Sequence, residues 1–448
     1  MLLNQTNPYR PALPDKLTLD WEDFEFTISA ANDRAIGQTA DWAVVNYMAA
    51  DCDLAPFLFD DLIEMKQIGS SAGLHVCAWF DGPLLTDAFF ARLHSATPLQ
   101  DDVVLRFREL KTTDPATLTM ALQVAGAYPA RRRLLFVSGH GQGWRGVLLD
   151  QNLGAAYLTK PGRLKLPGPG AECDARMQRS QRAAQEKLTR SLEGAPAGRP
   201  FDILAFDCCD MGNIEAIGYF AAHADIVVTS EDQVPGDGYP YAQVLADLNA
   251  NLTQTPTDLA RALVAQTKRR YAALQDGDPP VTQVAIASAG LPGFARAFGQ
   301  LVQTLSPIDS VLKTVQSALE GAYAFPPTGN IDLIGFVRLL LDGPLPEASR
   351  QAAQHVLAQW SRIVVATAVP GDARGPNGLS IYAPSPTAFD PDYLRLINTL
   401  PWGLGIWSWF LASYYLKVLG TDSGNALLET MQRTMQQMIR TGQYVPPG

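Results

Sequence analysis

Phe201-Asp-Ile-Leu-Ala-Phe-Asp207 is a continuous apolar run of strand length that ends on an acid and two cysteines, Cys208 and Cys209, before a helical pattern begins at Asn213. A run that is apolar at nearly every position, not at alternate ones, fits a strand covered on both faces. The same design recurs along the chain. Trp42–Met48, Leu74–Phe80, Leu134–Val137 and Asp225–Thr229 are further apolar runs, and stretches of helical spacing such as Leu54–Ile68 and Pro115–Ala127 fall between them. Strands alternating with helices predict an α/β fold with a mostly parallel central sheet flanked by helices. Asp114 is the expected N-cap of the helix over 115–127.

Outside these runs the character of the chain varies. Residues 1–40 are polar and Pro-rich at first, then mixed (Trp21–Ile28), and read as an N-terminal edge hairpin or wrapping arm. Val103–Leu110 reads as a hairpin arm. Residues 151–200 carry Pro161-Gly162 and Pro167-Gly-Pro-Gly170, then a run rich in Arg, Lys, Gln and Ala. Connections in compact domains are mostly ~4–6 residues, so this basic insertion is expected to be exposed and open to cutting. Beyond it come Pro256–Leu274 as helix, Val284–Ser288 as strand and helical stretches between Gly293 and Trp360. Strand patterns at Ile363–Ala368 and Gly378–Ala383 and a C-terminal helix at about Ser423–Thr441 complete the chain. The expected division is an arm over 1–40, a core over 41–290 containing the insertion, and a mainly helical region over 291–448 that contributes a late strand near 378–383.

Composition narrows the function. A chain with 47% hydrophobic and 18% charged residues is an ordinary globular protein. Its net charge of -10 argues against nucleic acid as a partner and fits a cationic substrate. The apolar run Gly403–Leu416 falls short of the about 20 residues a span needs, so it is expected to be a docked helix. The N-terminus has no basic segment followed by an apolar one, which predicts a cytoplasmic protein, or a secreted one if the N-terminus is incomplete. Five cysteines, an odd number with no CxxC spacing, argue against a disulfide framework and a structural zinc site and suit a reducing compartment.

In open parallel sheets, ligands collect at the carboxyl ends of the strands. His140, Asp207, Cys209 and Ser230–Asp232 all follow predicted strands directly. A thiol beside an imidazole, at the start of a helix, is a candidate nucleophile. The backbone N–H groups of Gly141 and Cys209 are then candidates to hold a developing oxyanion, because glycine permits close approach to the main chain. Cys208 and Cys209 must face opposite ways at an extended strand end, so one is buried and the other presented. The pattern alone does not choose between them.

His140-Gly-Gln-Gly-Trp144 together with Asp207-Cys-Cys-Asp-Met-Gly212 resembles the paired His-Gly-x-Gly-Trp and Asp-x-Cys-x-Met-Gly motifs of the clostripain family of cysteine peptidases, family C11 of the caspase-like clan CD. Trp42–Asp53, Ser230–Tyr241, Asn330–Leu333 and Gly378–Tyr382 are similar to further landmarks, so the resemblance covers roughly residues 40–415. It implies a caspase-like fold with Cys209 as nucleophile, His140 as general base and acid, and Asp207 at the base of the S1 pocket, with Ser230 and Glu231 beside it. The implied substrate is a protein or peptide with Arg or Lys at P1. No cofactor is required for that chemistry, although calcium is a family-implied possibility. Zymogen cutting is implied too, and Lys160, Arg163, Lys165, Arg176, Arg179, Arg182, Lys187, Arg190 and Arg199 offer basic sites. Cys208 and Asp210 depart from the family's usual small and apolar residues. Asp210 would oppose a thiolate, so it is expected to point away. The alternative function is a catalytically silent or partner-regulated caspase-like interaction module.

Overall fold

The structure is a computed structural model that describes residues 26–28, 37–84, 86–150, 201–272, 281–306, 308–326, 328–369, 375–390, 393 and 401–419, with positions 429, 433, 436 and 440. The insertion at 151–200 with its basic residues, Cys173, most of the arm 1–40 and most of the expected helix over 423–441 lie outside the described residues.

The strands are β1 (Phe26–Ile28), β2 (Ala40–Ala49), β3 (Leu74–Asp81), β4 (Ala88–Arg92), β5 (Val103–Phe107), β6 (Ala130–Ser138), β7 (Phe201–Asp207), β8 (Ala224–Ser230), β9 (Gln283–Ala287), β10 (Ala324–Phe325), β11 (Asn330–Asp332), β12 (Val364–Ala368) and β13 (Ser380–Tyr382). Ten of them form one sheet in the order β1-β5-β4-β3-β2-β6-β7-β8-β9-β12. Its centre, β3-β2-β6-β7-β8, is parallel throughout, and antiparallel strands extend both edges. β10, β11 and β13 make a separate three-stranded sheet.

The helices are α1 (Ala55–Ile68), α2 (Leu99–Asp102), α3 (Pro115–Ala125), α4 (Ile214–Phe220), α5 (Tyr241–Ala250), α6 (Pro256–Arg270), α7 (Leu291–Leu305), α8 (Ile308–Gly321), α9 (Leu333–Asp342), α10 (Glu347–Ile363) and α11 (Gly405–Leu419). Asp114 caps α3 by accepting from the Ala116 N–H, and Asn213 caps α4 by accepting from Ala216. Each cap meets a donor that the first turn of a helix leaves unpaired.

The apolar strands are buried on both faces, as their unbroken hydrophobicity requires. On one face Val44, Leu134, Phe136, Ile203 and Val228 pack with Leu58 and Leu62 of α1 and with α5 and α6. On the other, Val45, Leu135, Val137, Leu204 and Phe206 pack with α3 and α4. A third cluster joins α7–α11 around Trp407 and Phe298. α11 is the apolar run near the C-terminus, and it docks into this cluster; among the described residues no helix is long and apolar enough to cross a membrane. β12 returns from this C-terminal region to pair with β9, so the late chain is built into the main sheet.

Candidate active site

The sheet brings the predicted residues together through register. β2 lies between β3, its successor, and β6, so the chain changes direction along the sheet there, the place where α/β sheets form clefts. Ser138 at the end of β6 is level with Met48 on β2 and with Asp207 on β7. His140 and Cys209 therefore leave adjacent strands two residues beyond a matched pair. They line one cleft of about 100 Å³ together with Asp61, Asp207, Val234 and Gly238.

The two cysteines separate as strand geometry demands. Cys208 is buried, 1% exposed, among the residues that follow Leu204 and Phe206, and its thiol donates to the Val137 carbonyl at 3.3 Å. Cys209 is partly exposed on the cleft, and the Val234 N–H reaches its Sγ at 3.3 Å. Burial pushes the Cys209 thiol up to about 12, against the Val234 N–H, which lowers it; the charges of Asp210, Asp207 and Asp232 raise it further. The thiol is neutral in this state. Asp210, expected to point away from the thiol, is buried; its φ of 61° turns the chain directly after Cys209, and its charge raises the thiol.

His140 is held from β2. Its Nε2 lies 2.7 Å from Asp53 Oδ1, and this hydrogen bond holds the Asp53 carboxyl below the usual range. A carboxylate only accepts, so the Nε2 proton is directed toward Asp53 and, in the neutral ring, Nδ1 is the acceptor. The following turn is tied by Leu148 N–H to the His140 carbonyl and by Gln142 N–H to Gly146. These two bonds make the Gly141–Val147 bridge without using the Gly141 N–H. A Cβ at Gly141 would stand 2.2 Å from the Cys209 carbonyl, so only glycine lets the His turn lie on the Cys turn. Trp144 anchors that turn edge-on to Tyr382 and Tyr393, with ring centroids 4.9 and 5.1 Å away.

Asp207 forms part of the cleft wall, 7% exposed. Its Oδ2 accepts from Tyr241 Oη at 2.7 Å and from the Tyr239 N–H at 3.2 Å. Asp61 of α1 faces it across Gly238. A Cβ at Gly238, where φ is +60°, would stand 2.7 Å from Asp207 Oδ2 and 2.8 Å from Asp61 Oδ2. Burial raises both carboxyls, and for Asp61 the Asp207 charge adds to the rise. Asp61 Oδ2 is buried with no hydrogen-bond partner among the described residues.

Ser230 and Glu231 are not brought into this cleft. Ser230 is bonded to Thr282 Oγ1 at 2.8 Å, and Glu231, fully buried, accepts from the Gly378 N–H. Their strand position is as expected, but Gly212 N–H bonds the Ser230 carbonyl and draws the strand end behind the Cys turn. Sequence reasoning missed Asp53 and Asp61. Asp53 follows the tip of β2 just as His140 follows β6, and Asp61 falls on the inward stripe Leu58, Asp61, Leu62, Met65 of α1. Both signals were in the pattern.

The fold is α/β with a mostly parallel central sheet flanked by helices, and its strand-tip cleft brings Cys209 and His140 together. Residues 171–327 match the model of the clostripain family. The structure superposes on a secreted C11 cysteine protease from Bacteroides thetaiotaomicron in complex with an irreversible peptide inhibitor, with TM-score 0.60 and 19% identity over 82% of this chain and 99% of that one. An inactive zymogen C11 protease from Parabacteroides distasonis gives 0.56 and 18% over the same shares. A further secreted C11 cysteine protease from Bacteroides thetaiotaomicron gives 0.53 and 14%, covering 88% and 99%. At these identities the likeness is one of fold. No curated protein sequence matches the chain. The match to the clostripain family model falls on the stretch that carries the Cys motif, and the solved structures share the fold.

Proposed function

We propose that this chain is an endopeptidase that cleaves after Arg or Lys. The observation that carries the specificity is the pair of buried carboxyls, Asp61 and Asp207, in the cleft that holds Cys209 and His140. A cationic P1 side chain entering there meets the Asp207 carboxylate beside the unpartnered Asp61 carboxyl oxygen, and a charge-assisted bond in a buried site is strong. Cys209 Sγ attacks the scissile carbonyl carbon while His140 takes the thiol proton. The Gly141 and Cys209 N–H groups hold the oxyanion, His140 passes its proton to the leaving amine, and a thioester remains. Water then adds, giving its proton to His140, and the acid product leaves as the thiol is restored. Asp53 positions the imidazole throughout.

The resting enzyme is proposed to be a zymogen. Its support is the neutral thiol held by the Val234 N–H and the basic residues of 151–200, which offer cutting sites. Calcium is carried as an activator implied by the family, and chelation in the same assay tests it. Cysteine usage supports a cytoplasmic location, whereas two of the similar structures are of secreted proteases. The competing reading, a silent interaction module, is favoured by that same raised thiol.

The deciding experiment compares Cys209→Ala with Cys208→Ala on Arg- and Lys-containing peptides, with intact mass measured on each. Cys209→Ala abolishes cleavage and leaves the chain uncut; Cys208→Ala keeps both activities. Equal loss in the two variants sinks the assignment of the nucleophile, and a wild type that neither cuts peptides nor reacts with a basic-P1 electrophilic probe favours the module.

A further inference from the structure

Cys52, Asp53 and His140 form a second constellation at the tips of β2 and β6, on the far side of the imidazole's Asp53 contact. One ligand atom from each, a thiol sulfur, a carboxylate oxygen and an imidazole nitrogen, lies within 4.8 Å of the other two. We propose that these three residues bind a zinc ion that inhibits the peptidase by capturing His140.

The donor set selects the metal. Zinc takes sulfur, nitrogen and carboxylate together in a tetrahedron, with Zn–S of about 2.3 Å and Zn–N or Zn–O of about 2.0–2.1 Å, which places donor atoms about 3.3–3.6 Å apart. The His140–Asp53 contact of 2.7 Å must open slightly and the wider separations must close, shifts that fall to the exposed side chains of Asp53 and His140. Calcium and magnesium want cages of oxygen, and Asp53 offers the set's one carboxylate. Access is available. Cys52 is 2% exposed, forming the floor, while the side chains of Asp53 and His140 are 59% and 28% exposed and open to solvent. The charges of Asp51 and Asp150 also reach Cys52, so the local field attracts a cation. Three protein ligands leave a fourth position for water.

The consequence follows from which groups are used. Cys52 takes no part in the cleavage chemistry, but His140 does, and an imidazole bound to zinc cannot carry a proton between Cys209 and the leaving amine. The inhibitory half of the proposal rests on His140 acting as the base; the binding half does not. The ion would come from solvent and leave to a chelator, a reversible brake independent of cutting at 151–200.

The test uses the full chain in three forms, wild type, Cys52→Ser and Cys209→Ala, with cobalt as a spectroscopic substitute for zinc. Wild type and Cys209→Ala show a near-ultraviolet sulfur-to-cobalt band that zinc abolishes, and Cys52→Ser lacks it. In peptidase assays Cys52→Ser keeps wild-type activity, while its zinc inhibition weakens at least about tenfold, as losing even an outer-sphere partner does. Calcium and magnesium do not compete. A band lost in Cys209→Ala and kept in Cys52→Ser places the metal on the nucleophile and overturns the proposal, as does equal zinc inhibition of wild type and Cys52→Ser. Cys52→Ala repeats the comparison if the serine variant is unfolded. A wild type that shows the band but cleaves no basic peptide retains the metal site and removes the proposed function instead.

Discussion

Two groups of buried acids stand on either side of the Cys209 turn, and they do opposite things with the same chemistry. In front, Asp207 and Asp61 meet across Gly238 beside a cleft, and Asp61 Oδ2 finds no partner among the described residues. Behind, Glu215 accepts from the Tyr382 N–H at 3.0 Å and from Tyr393 Oη at 2.6 Å, while Glu231 accepts from Gly378 and feels the Asp332 charge. Burial raises Glu215, Glu231 and Asp332 as it raises the front pair. The difference lies in what borders them. The rear acids are enclosed by the C-terminal segments whose backbone they bind, so they tie β13 and its neighbours to α4 and β8. The front acids border empty volume, and only a ligand from outside completes them. A buried acid is therefore informative about function through its neighbourhood more than through its burial.

The sharpest way to break this contrast is Asp207→Asn. Removing one member of a buried charge pair costs roughly 2–5 kcal/mol, so kcat/KM for an Arg-P1 peptide should fall by about 10²–10³. A neutral-P1 peptide should change by less than about threefold, since it never met the charge. The pH profile carries the same information. Burial pushes Asp207 above the ordinary carboxylate range, and the ionised form must hold the cation. Activity on basic P1 should consequently fall as pH drops through a pKa higher than a free carboxylate's, with no such limb for neutral P1. Equal losses on both peptides would remove Asp207 from the S1 pocket.

The rear group is probed by Glu215→Ala. Two buried donors, the Tyr382 N–H and Tyr393 Oη, lose their acceptor, at about 1–3 kcal/mol each, so the expected loss of stability is about 2–6 kcal/mol by denaturant unfolding. The ratio of Arg-P1 to neutral-P1 activity in the fraction still folded should match wild type. A changed ratio would mean that the rear acids reach the cleft, and the contrast would fail.

Much of this arrangement was visible in the chain. The central strands were marked by unbroken apolar runs, because a strand covered on both faces has no solvent side to show. Helices α1, α3 and α6 were marked by spacing and caps. β4 (Ala88–Arg92) and α5 (Tyr241–Ala250) were not read. Ala-Phe-Phe-Ala-Arg is too short to show a period, and α5 follows so directly on the turn-forming Gly236–Pro240 that it merges with the loop. His140 and Cys209 came from strand-tip position together with family motifs. Ser230 and Glu231 shared that position yet fall outside the cleft, because strand ends are legible in sequence while the hydrogen bonds that turn them aside, here Gly212 to Ser230, are not. Asp61 was hidden differently: Asp60 and Glu64 beside it make an acidic helix segment that reads as solvated, though only Asp61 falls on the inward stripe.

That residue offers the smallest effect and the finest test. Asp61 is raised by burial first and by the Asp207 charge second, so the folded protein holds a proton that the unfolded chain releases. The stability this contributes is complete below the unfolded pKa and is lost as pH rises toward the folded one. Asp61→Asn removes that dependence. The variant should gain about 1 kcal/mol over wild type at pH 8 and nothing at pH 4, read from denaturant midpoints at the two values. Its kcat/KM for basic P1 should fall about three- to tenfold, less than for Asp207→Asn, because Asp207 keeps the nearer hydrogen-bonded charge. A stability gain with no loss of basic-P1 activity would leave Asp61 a strained structural acid. A loss of stability at pH 8 would mean that Asp61, like Glu215, already has what it needs, and the front pair would no longer differ from the rear.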